Sequence, residues 1–143
     1  MREKMKKKIL IVDDEPGIVR LLALRLQTKG YETVEAYDGI QCCLVAEEEI
    51  PDLILLDIKM PILDGITAFQ ELLKLEATKE IPVLFMTAYP TIEIKDLVLN
   101  MGAKGCISKP FISESFEQTI DMVINKYTLS DYQEIYPSYM PLH

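Results

Sequence analysis

Short apolar runs alternate along the chain with longer stretches of helical periodicity. The strand-like runs cover residues 8–12, 31–36, 52–56, 81–86 and 105–108. The amphipathic stretches between and after them cover residues 16–29, 40–49, 64–76, 91–101 and 113–126. Such alternation is typical of βαβ units, and the unbroken apolar stretch of residues 9–12 in the first run indicates a strand buried on both faces. The pattern therefore predicts an α/β fold in which a doubly wound parallel sheet of five strands has helices on both faces.

Acidic residues directly follow two of the apolar runs. Asp13 and Asp14 close the first run, and Asp57 closes the third. Because the carboxyl ends of parallel strands share one edge, where ligands bind in open sheets, we expect the three carboxylates to lie close together. Two such charges about 4 Å apart repel by roughly 1 to 4 kcal/mol, so a cation must offset them. Oxygen ligands that leave room for water and a phosphate suit Mg²⁺.

Two further strand ends carry residues that suit a phosphoryl group. The run 81–86 is followed by the hydroxyl of Thr87, and the weaker run 105–108 is followed by Lys109 and Pro110. A lysine at the edge that holds three acids can pair with a phosphoryl oxygen. The fourth and fifth strands thus add a hydroxyl and an ammonium to the carboxylates.

Each of these residues also has an ordinary structural explanation when it is taken alone. Asp57 could cap the following loop, and Asp14 could cap the helix that Pro16 opens. Thr87 suits a strand because it is β-branched, and Lys109 could be a solvated surface lysine. The combination at successive strand ends favours chemistry over these separate explanations.

The order Asp-Asp, Asp, Thr and Lys-Pro at successive strand ends resembles the receiver domain of two-component response regulators, the CheY-like family. The resemblance covers roughly residues 8–126, and the intervening segments Met60-Pro61 and Asp64-Gly65 agree with it. It implies a flavodoxin-like sheet with the strand order 2-1-3-4-5. We expect residues 1–126 to form the receiver domain and residues 127–143 to be a C-terminal tail or the stub of a linker.

The resemblance implies a role for each residue of the set. Asp57 is the implied phosphoacceptor, whose carboxylate oxygen attacks phosphorus to give an acyl phosphate. Thr87 is expected to form a hydrogen bond with a phosphoryl oxygen, and Lys109, before a cis peptide bond to Pro110, to pair with the phosphoryl charge. Such a domain is not a conventional enzyme, but it catalyses its own phosphorylation and dephosphorylation.

Metal binding follows from the same resemblance. The implied ligands of Mg²⁺ are the carboxylates of Asp13, Asp14 and Asp57 and the backbone carbonyl of Lys59. A divalent ion is needed because the phosphoryl dianion and the carboxylates otherwise repel one another. Lys59 also weighs against a phosphatase of the haloacid dehalogenase type, which requires a second aspartate two residues after the nucleophile.

Charge and histidine content limit the partners. A formal net charge of −8 makes direct nucleic-acid binding by this domain unexpected, because duplex binding relies on Lys and Arg at the phosphates. The single histidine is the terminal His143, so the phosphoryl group is expected to come from a histidine kinase or a histidine phosphotransfer protein. Ile18, Leu21, Leu24 and their apolar neighbours cover nearly the whole first helix, which leaves two alternatives: packing beneath the terminal extensions or a docking face for such a partner.

Cysteine usage and the N-terminus predict a cytoplasmic protein without a membrane segment. Cys42, Cys43 and Cys106 are odd in number and lack the spacing of a disulfide framework or zinc site. The lysine-rich N-terminus is followed by only four apolar residues, too few for a signal peptide or a span. Cys106 stands three positions before the lysine, where most receivers carry an aromatic switch residue.

Two readings of the output remain open. In the first, phosphorylation changes the surface formed by residues 91–126, which is also where a homodimer would form. In the second, the chain is a receiver-like dimerisation or scaffold module that is never phosphorylated. The complete set of functional residues favours the first.

Overall fold

The computed structural model describes residues 6–111 and 114–126, together with residues 130, 131, 134 and 137. The strands are β1 (Lys8–Val12), β2 (Glu32–Ala36), β3 (Leu53–Asp57), β4 (Val83–Thr87) and β5 (Gly105–Ser108). The helices are α1 (Pro16–Thr28), α2 (Gly39–Glu49), α3 (Gly65–Leu73), α4 (Ile92–Asn100) and α5 (Ser115–Ile124). The five strands form one parallel sheet in the order β2-β1-β3-β4-β5, which confirms the predicted fold class and strand order.

The central strands supply apolar side chains to both faces of the sheet. Ile9 and Ile11 of β1 pack in a core with residues of α1 and α5. Leu10 and Val12 pack in a second core with residues of α2, α3 and α4. All four side chains are fully buried. The continuous apolar run of β1 is therefore explained by burial on both faces, as the sequence predicts.

Two strands end one residue later than the sequence suggests, and the difference concerns the site. Asp57 is the last residue of β3 and lies opposite Met86, and Thr87 is the last residue of β4 and lies opposite Ser108. Both predicted site side chains thus project from backbone that belongs to the sheet. Their backbone positions are set by the strand pairing rather than by loops.

The predicted third helix is too long. It ends at Leu73 instead of residue 76, because the buried hydroxyl of Thr78 donates to the carbonyl oxygen of Leu72 at 2.7 Å and the chain turns there. At the start of α1, the capping alternative for Asp14 is wrong. Glu15 occupies the N-cap position without a side-chain cap, and Pro16 opens the helix as predicted.

The outer face of α1 carries two leucines that are open to solvent among the described residues. Leu21 and Leu24 are 50% and 57% exposed, so the described part of the chain does not cover them. The predicted tail, residues 127–143, lies outside the described residues except at positions 130, 131, 134 and 137. The boundary at residue 126 therefore stays a prediction. Across the described chain, no helix combines the length and apolar character that crossing a membrane requires.

Candidate functional site

Four strand ends bring the predicted site residues together at one edge of the sheet. Asp13 follows β1, Asp57 ends β3, Thr87 ends β4 and Lys109 follows β5. Because β1, β3, β4 and β5 are adjacent and parallel, their carboxyl ends lie side by side. We call this group, with Asp14, the carboxyl edge. The juxtaposition predicted from the strand-end pattern is present.

The three carboxylates of the carboxyl edge form a compact cluster. Asp13, Asp14 and Asp57 each offer one oxygen, and these oxygens lie within 4.8 Å of one another. Asp13 is fully buried and Asp57 is 5% exposed, whereas Asp14 is exposed. The cluster thus has a dry side and a side that opens to solvent.

The ammonium of Lys109 lies against the dry side of the cluster. Its Nζ donates to Oδ2 of Asp13 at 2.7 Å and lies 3.4 Å from Oδ1 of Asp57. The other oxygen of Asp13 accepts the backbone N–H of Glu15 at 3.0 Å. Asp13 is therefore held by two donors, while Asp57 has the looser contact with the ammonium.

One lysine does not neutralise three carboxylates, and the titration of Asp57 reflects this. Burial raises the pKa of the Asp57 carboxyl to about 6, and the neighbouring charge of Asp13 adds to the increase. Lys109 acts in the opposite direction but does not cancel it. For Lys109 burial lowers the pKa, yet the hydrogen bond to Asp13 and the charges of both aspartates outweigh burial and raise it. The site therefore favours an additional cation.

The geometry fits a small divalent ion. An octahedral Mg²⁺ with ligands at about 2.1 Å separates its oxygens by roughly 3 to 4 Å, which is within the span of the three carboxylates. The exposed side at Asp14 leaves access for water and for a phosphoryl group. The proposed fourth ligand, the backbone carbonyl of Lys59, belongs to the loop after β3, and its coordination stays a prediction.

Thr87 and the turn after β5 complete the edge. The Thr87 side chain is 4% exposed, and its hydroxyl oxygen accepts the backbone N–H of Tyr89 at 3.0 Å. Its carbonyl oxygen accepts the N–H of Lys109 at 2.9 Å, so the ends of β4 and β5 are joined. The peptide bond between Lys109 and Pro110 is cis, as the family resemblance implies.

Some features of the site have no simple signal in the sequence. The Nζ of Lys59 lies 4.8 Å from the ring centroid of Tyr89, a cation–π contact between the loops after β3 and β4. Gly65 approaches β3 so closely that a Cβ there would lie 2.1 Å from the carbonyl oxygen of Asp57. The Asp64-Gly65 pair was visible in the sequence, but the reason for the glycine was not.

The comparisons with known proteins agree with this architecture. The family model of the response regulator receiver domain matches residues 9–121. The probable transcriptional regulator ycf27 of Pyropia yezoensis is 38% identical over 124 residues, which are 87% of this chain and 50% of that protein. The DNA-binding dual master transcriptional regulator RpaA of Synechocystis is 41% identical over 104 residues, 73% of this chain and 43% of that protein. The chain belongs to the response regulator receiver domain family of two-component signalling.

A solved structure adds a point about the metal. The receiver domain of the sensor histidine kinase PA1611 from Pseudomonas aeruginosa, described with a magnesium ion in its active-site cleft, superposes with a TM-score of 0.77. It is 28% identical in sequence, and the alignment covers 85% of this chain and 99% of that one. The present chain spans about half the length of the curated relatives it matches.

Proposed function

We propose that the chain accepts a phosphoryl group on Asp57 in a reaction that requires Mg²⁺. The observation that carries the proposal is the environment of this carboxylate, which is buried, close to two other acids and only 3.4 Å from an ammonium. Mg²⁺ held by Asp13, Asp14 and Asp57 would offset the repulsion between the nucleophile and the phosphoryl oxygens.

The other residues of the edge have distinct tasks in this proposal. Lys109 is near enough to Asp57 to pair with a phosphoryl oxygen once the acyl phosphate forms. The hydroxyl of Thr87 accepts a backbone hydrogen bond, so its proton is available to donate to another phosphoryl oxygen. Loss of the phosphoryl group requires that a water molecule reach the same phosphorus atom. We therefore assign both self-phosphorylation and self-dephosphorylation to this one site.

The phosphodonor in this proposal is a phosphohistidine on another protein. A histidine kinase or a histidine phosphotransfer protein would approach the open side of the cluster and contact the apolar face at Leu21 and Leu24. A cytoplasmic location, predicted from cysteine usage and the N-terminus, is consistent with this donor.

The output is proposed from the family and from one buried residue. RpaA is named a DNA-binding regulator, and it is about twice as long as the aligned segment. We propose that this chain acts as the switch of a signalling protein and does not itself contact nucleic acid. Cys106 is 7% exposed and packs in the core beneath α4, so rotation of an aromatic side chain at this position does not transmit the signal. The surface of α4, β5 and α5 would change its partner, or its own dimer contact, by another movement.

Intact mass after incubation with acetyl phosphate and Mg²⁺ tests the assignment of Asp57. We expect a gain of about 80 Da, for one phosphoryl group, that Asp57→Asn abolishes while the fold is retained. The matched control is Asp52→Asn, which changes an aspartate just before the same strand, at its opposite end. Labelling of Asp57→Asn to the wild-type extent would show that the acceptor is another residue, and an unlabelled wild type would favour the scaffold module.

A further inference from the structure

The position of Lys109 depends on a turn that neither helix nor sheet fixes completely. The Lys109 backbone N–H still pairs with Thr87, but the chain then leaves the sheet, and α5 begins only at Ser115. The ammonium must nevertheless stay within hydrogen-bond distance of Asp13 and close to Asp57. Something must hold this turn against the rest of the domain.

Arg25, on α1, contacts the turn directly. Its Nη1 donates to the backbone carbonyl oxygen of Phe111, two residues after Lys109. Its Nη2 forms an ion pair with Glu117 of α5, whose side chain is 13% exposed. The guanidinium carbon lies 5.0 Å from the ring centroid of Phe116. The planar guanidinium thus binds a carbonyl, a carboxylate and a ring at once, which a lysine cannot do.

The helix that carries Arg25 also begins just after two carboxylates of the carboxyl edge. Asp13 and Asp14 precede α1 by three and two residues, and Glu15, its N-cap, donates its N–H to Asp13. One end of α1 therefore places the Asp13 carboxylate, and Arg25 near the other end holds the turn that delivers the ammonium. Asp13 and Lys109, which are 2.7 Å apart, are thus both positioned by contacts with the same helix.

We propose that Arg25 is a positioning residue that holds Lys109 against Asp13 and Asp57 through the Phe111 carbonyl. The proposal rests on the proposed phosphorylation of Asp57 and assigns no contact between Arg25 and the phosphoryl group. The alternative is that Arg25 only joins α1 to α5 through Glu117. The two differ in what happens at Lys109 when the arginine is changed.

The first measurement needs neither metal nor phosphodonor. Amide hydrogen exchange of Lys109 in metal-free protein should become about tenfold faster in Arg25→Ala. The turn then loses its polar anchor and keeps only the packing of the Phe111 ring on Phe116, while the sheet remains. Arg20→Ala, which changes an exposed arginine on the same helix, should leave it unchanged. Equal exchange at Lys109 in Arg25→Ala and wild type would overturn the proposal.

The second measurement separates positioning from stability. A displaced ammonium offsets the carboxylates less, so Arg25→Ala should bind Mg²⁺ several-fold more tightly and be phosphorylated about tenfold more slowly at saturating acetyl phosphate. A general loss of stability would not tighten Mg²⁺ binding. In a Lys109→Ala background, Arg25→Ala should change the rate less than twofold, since the residue it positions is gone. Independent, multiplicative effects of the two changes would refute the mechanism.

Arg25→Lys guards against a variant that fails to fold. Lysine keeps the charge beside Glu117 but cannot bind the carbonyl and the carboxylate together. We expect Arg25→Lys to fold and to be phosphorylated almost as slowly as Arg25→Ala. A full wild-type rate of phosphorylation would overturn the proposal. A wild-type protein that is not phosphorylated at all would instead refute the proposed function, while the exchange result at Lys109 would still stand.

Discussion

The two ends of the sheet use the same chemical groups with opposite consequences. At the amino ends of β1 and β3, the amino edge, Lys8 Nζ lies 2.9 Å from Glu49 and the backbone N–H of Lys8 donates to Asp52 at 2.8 Å. At the carboxyl edge, Lys109 lies 2.7 Å from Asp13 and 3.4 Å from Asp57. Each end therefore pairs a lysine with a carboxylate and has further acids beside it.

Burial and the close spacing of the carboxylates make the difference between the edges. The side chains of Lys8 and Glu49 are 25% and 33% exposed, so water screens them. The side chains of Asp13 and Asp57 are 0% and 7% exposed, and a third acid stands beside them. The charges of the amino edge are hydrated, whereas the carboxyl edge holds crowded, buried negative charge that a metal ion would offset.

The largest expected contrast is between the two lysines. Lys109→Met leaves Asp13 and Asp57 buried without a cation, and we expect a loss of about 3 to 4 kcal/mol in the free energy of unfolding. Lys8→Met at the amino edge should cost less than about 1 kcal/mol, because its partners remain hydrated. Urea unfolding in EDTA at pH 7.5 measures both. Equal losses would show that burial does not distinguish the edges.

The next contrast concerns the charge of Asp57 and its dependence on pH. Because burial raises its pKa from 3.8 to about 6, the native state binds this proton more tightly than the unfolded state does. Stability therefore falls as the pH rises from about 4 to about 6, and the cost is complete above that range. Asp57→Asn should be more stable than wild type by about 3 kcal/mol at pH 7.5 without divalent ions, with little advantage below pH 4.

The control for this pH dependence is Asp52→Asn at the amino edge. That change should give no gain at pH 7.5, since the Asp52 carboxylate accepts a backbone hydrogen bond from Lys8. Unfolding curves of the three proteins between pH 4 and pH 8 make the comparison. A gain for Asp57→Asn that is the same at pH 4 and pH 7.5 would contradict an electrostatic origin.

Some of these features could be predicted from the sequence, and others could not. The strand ends that carry Asp13, Asp57, Thr87 and Lys109 could be predicted because apolar runs in a parallel sheet mark them clearly. The third helix was predicted too long because the hydrogen bond from Thr78 that ends it leaves no periodic signal. Contacts between distant parts of the chain were also missed. The Arg25 side chain and the Phe111 carbonyl are 86 positions apart, and no local pattern in the sequence indicates that these groups meet.

Magnesium should sharpen the contrast by a smaller amount. At ten times the dissociation constant, an ion that binds only the folded state stabilises it by about 1.4 kcal/mol. We expect this gain in wild type, in thermal unfolding with and without millimolar Mg²⁺. Asp13→Asn at the carboxyl edge should lose the gain, and Glu49→Gln at the amino edge should keep it. A melting temperature indifferent to Mg²⁺ in wild type would contradict the metal site.

The smallest expected effect concerns the lifetime of the phosphoryl group. Only at the carboxyl edge does the access of water to a phosphoryl group matter. Lys59 and Tyr89 follow Asp57 and Thr87 by two residues each. The Nζ of Lys59 lies 4.8 Å from the centroid of the Tyr89 ring. The long side chain and the ring, 64% exposed in Tyr89, should restrict the approach of water. We expect Tyr89→Ala to lose the phosphoryl group two- to threefold faster, about 0.5 kcal/mol in the barrier.

Tyr37 provides the matched control for this effect. It follows β2 at the same end of the sheet, but its hydroxyl donates to Glu35 and it lies at the outermost strand. Tyr37→Ala should therefore decay at the wild-type rate. Lys59→Ala should accelerate decay as Tyr89→Ala does, and the double variant should be little faster than either, because each change opens the same contact. Intact mass after removal of acetyl phosphate measures the decay. Unchanged decay in both single variants would show that water reaches Asp57 by another path.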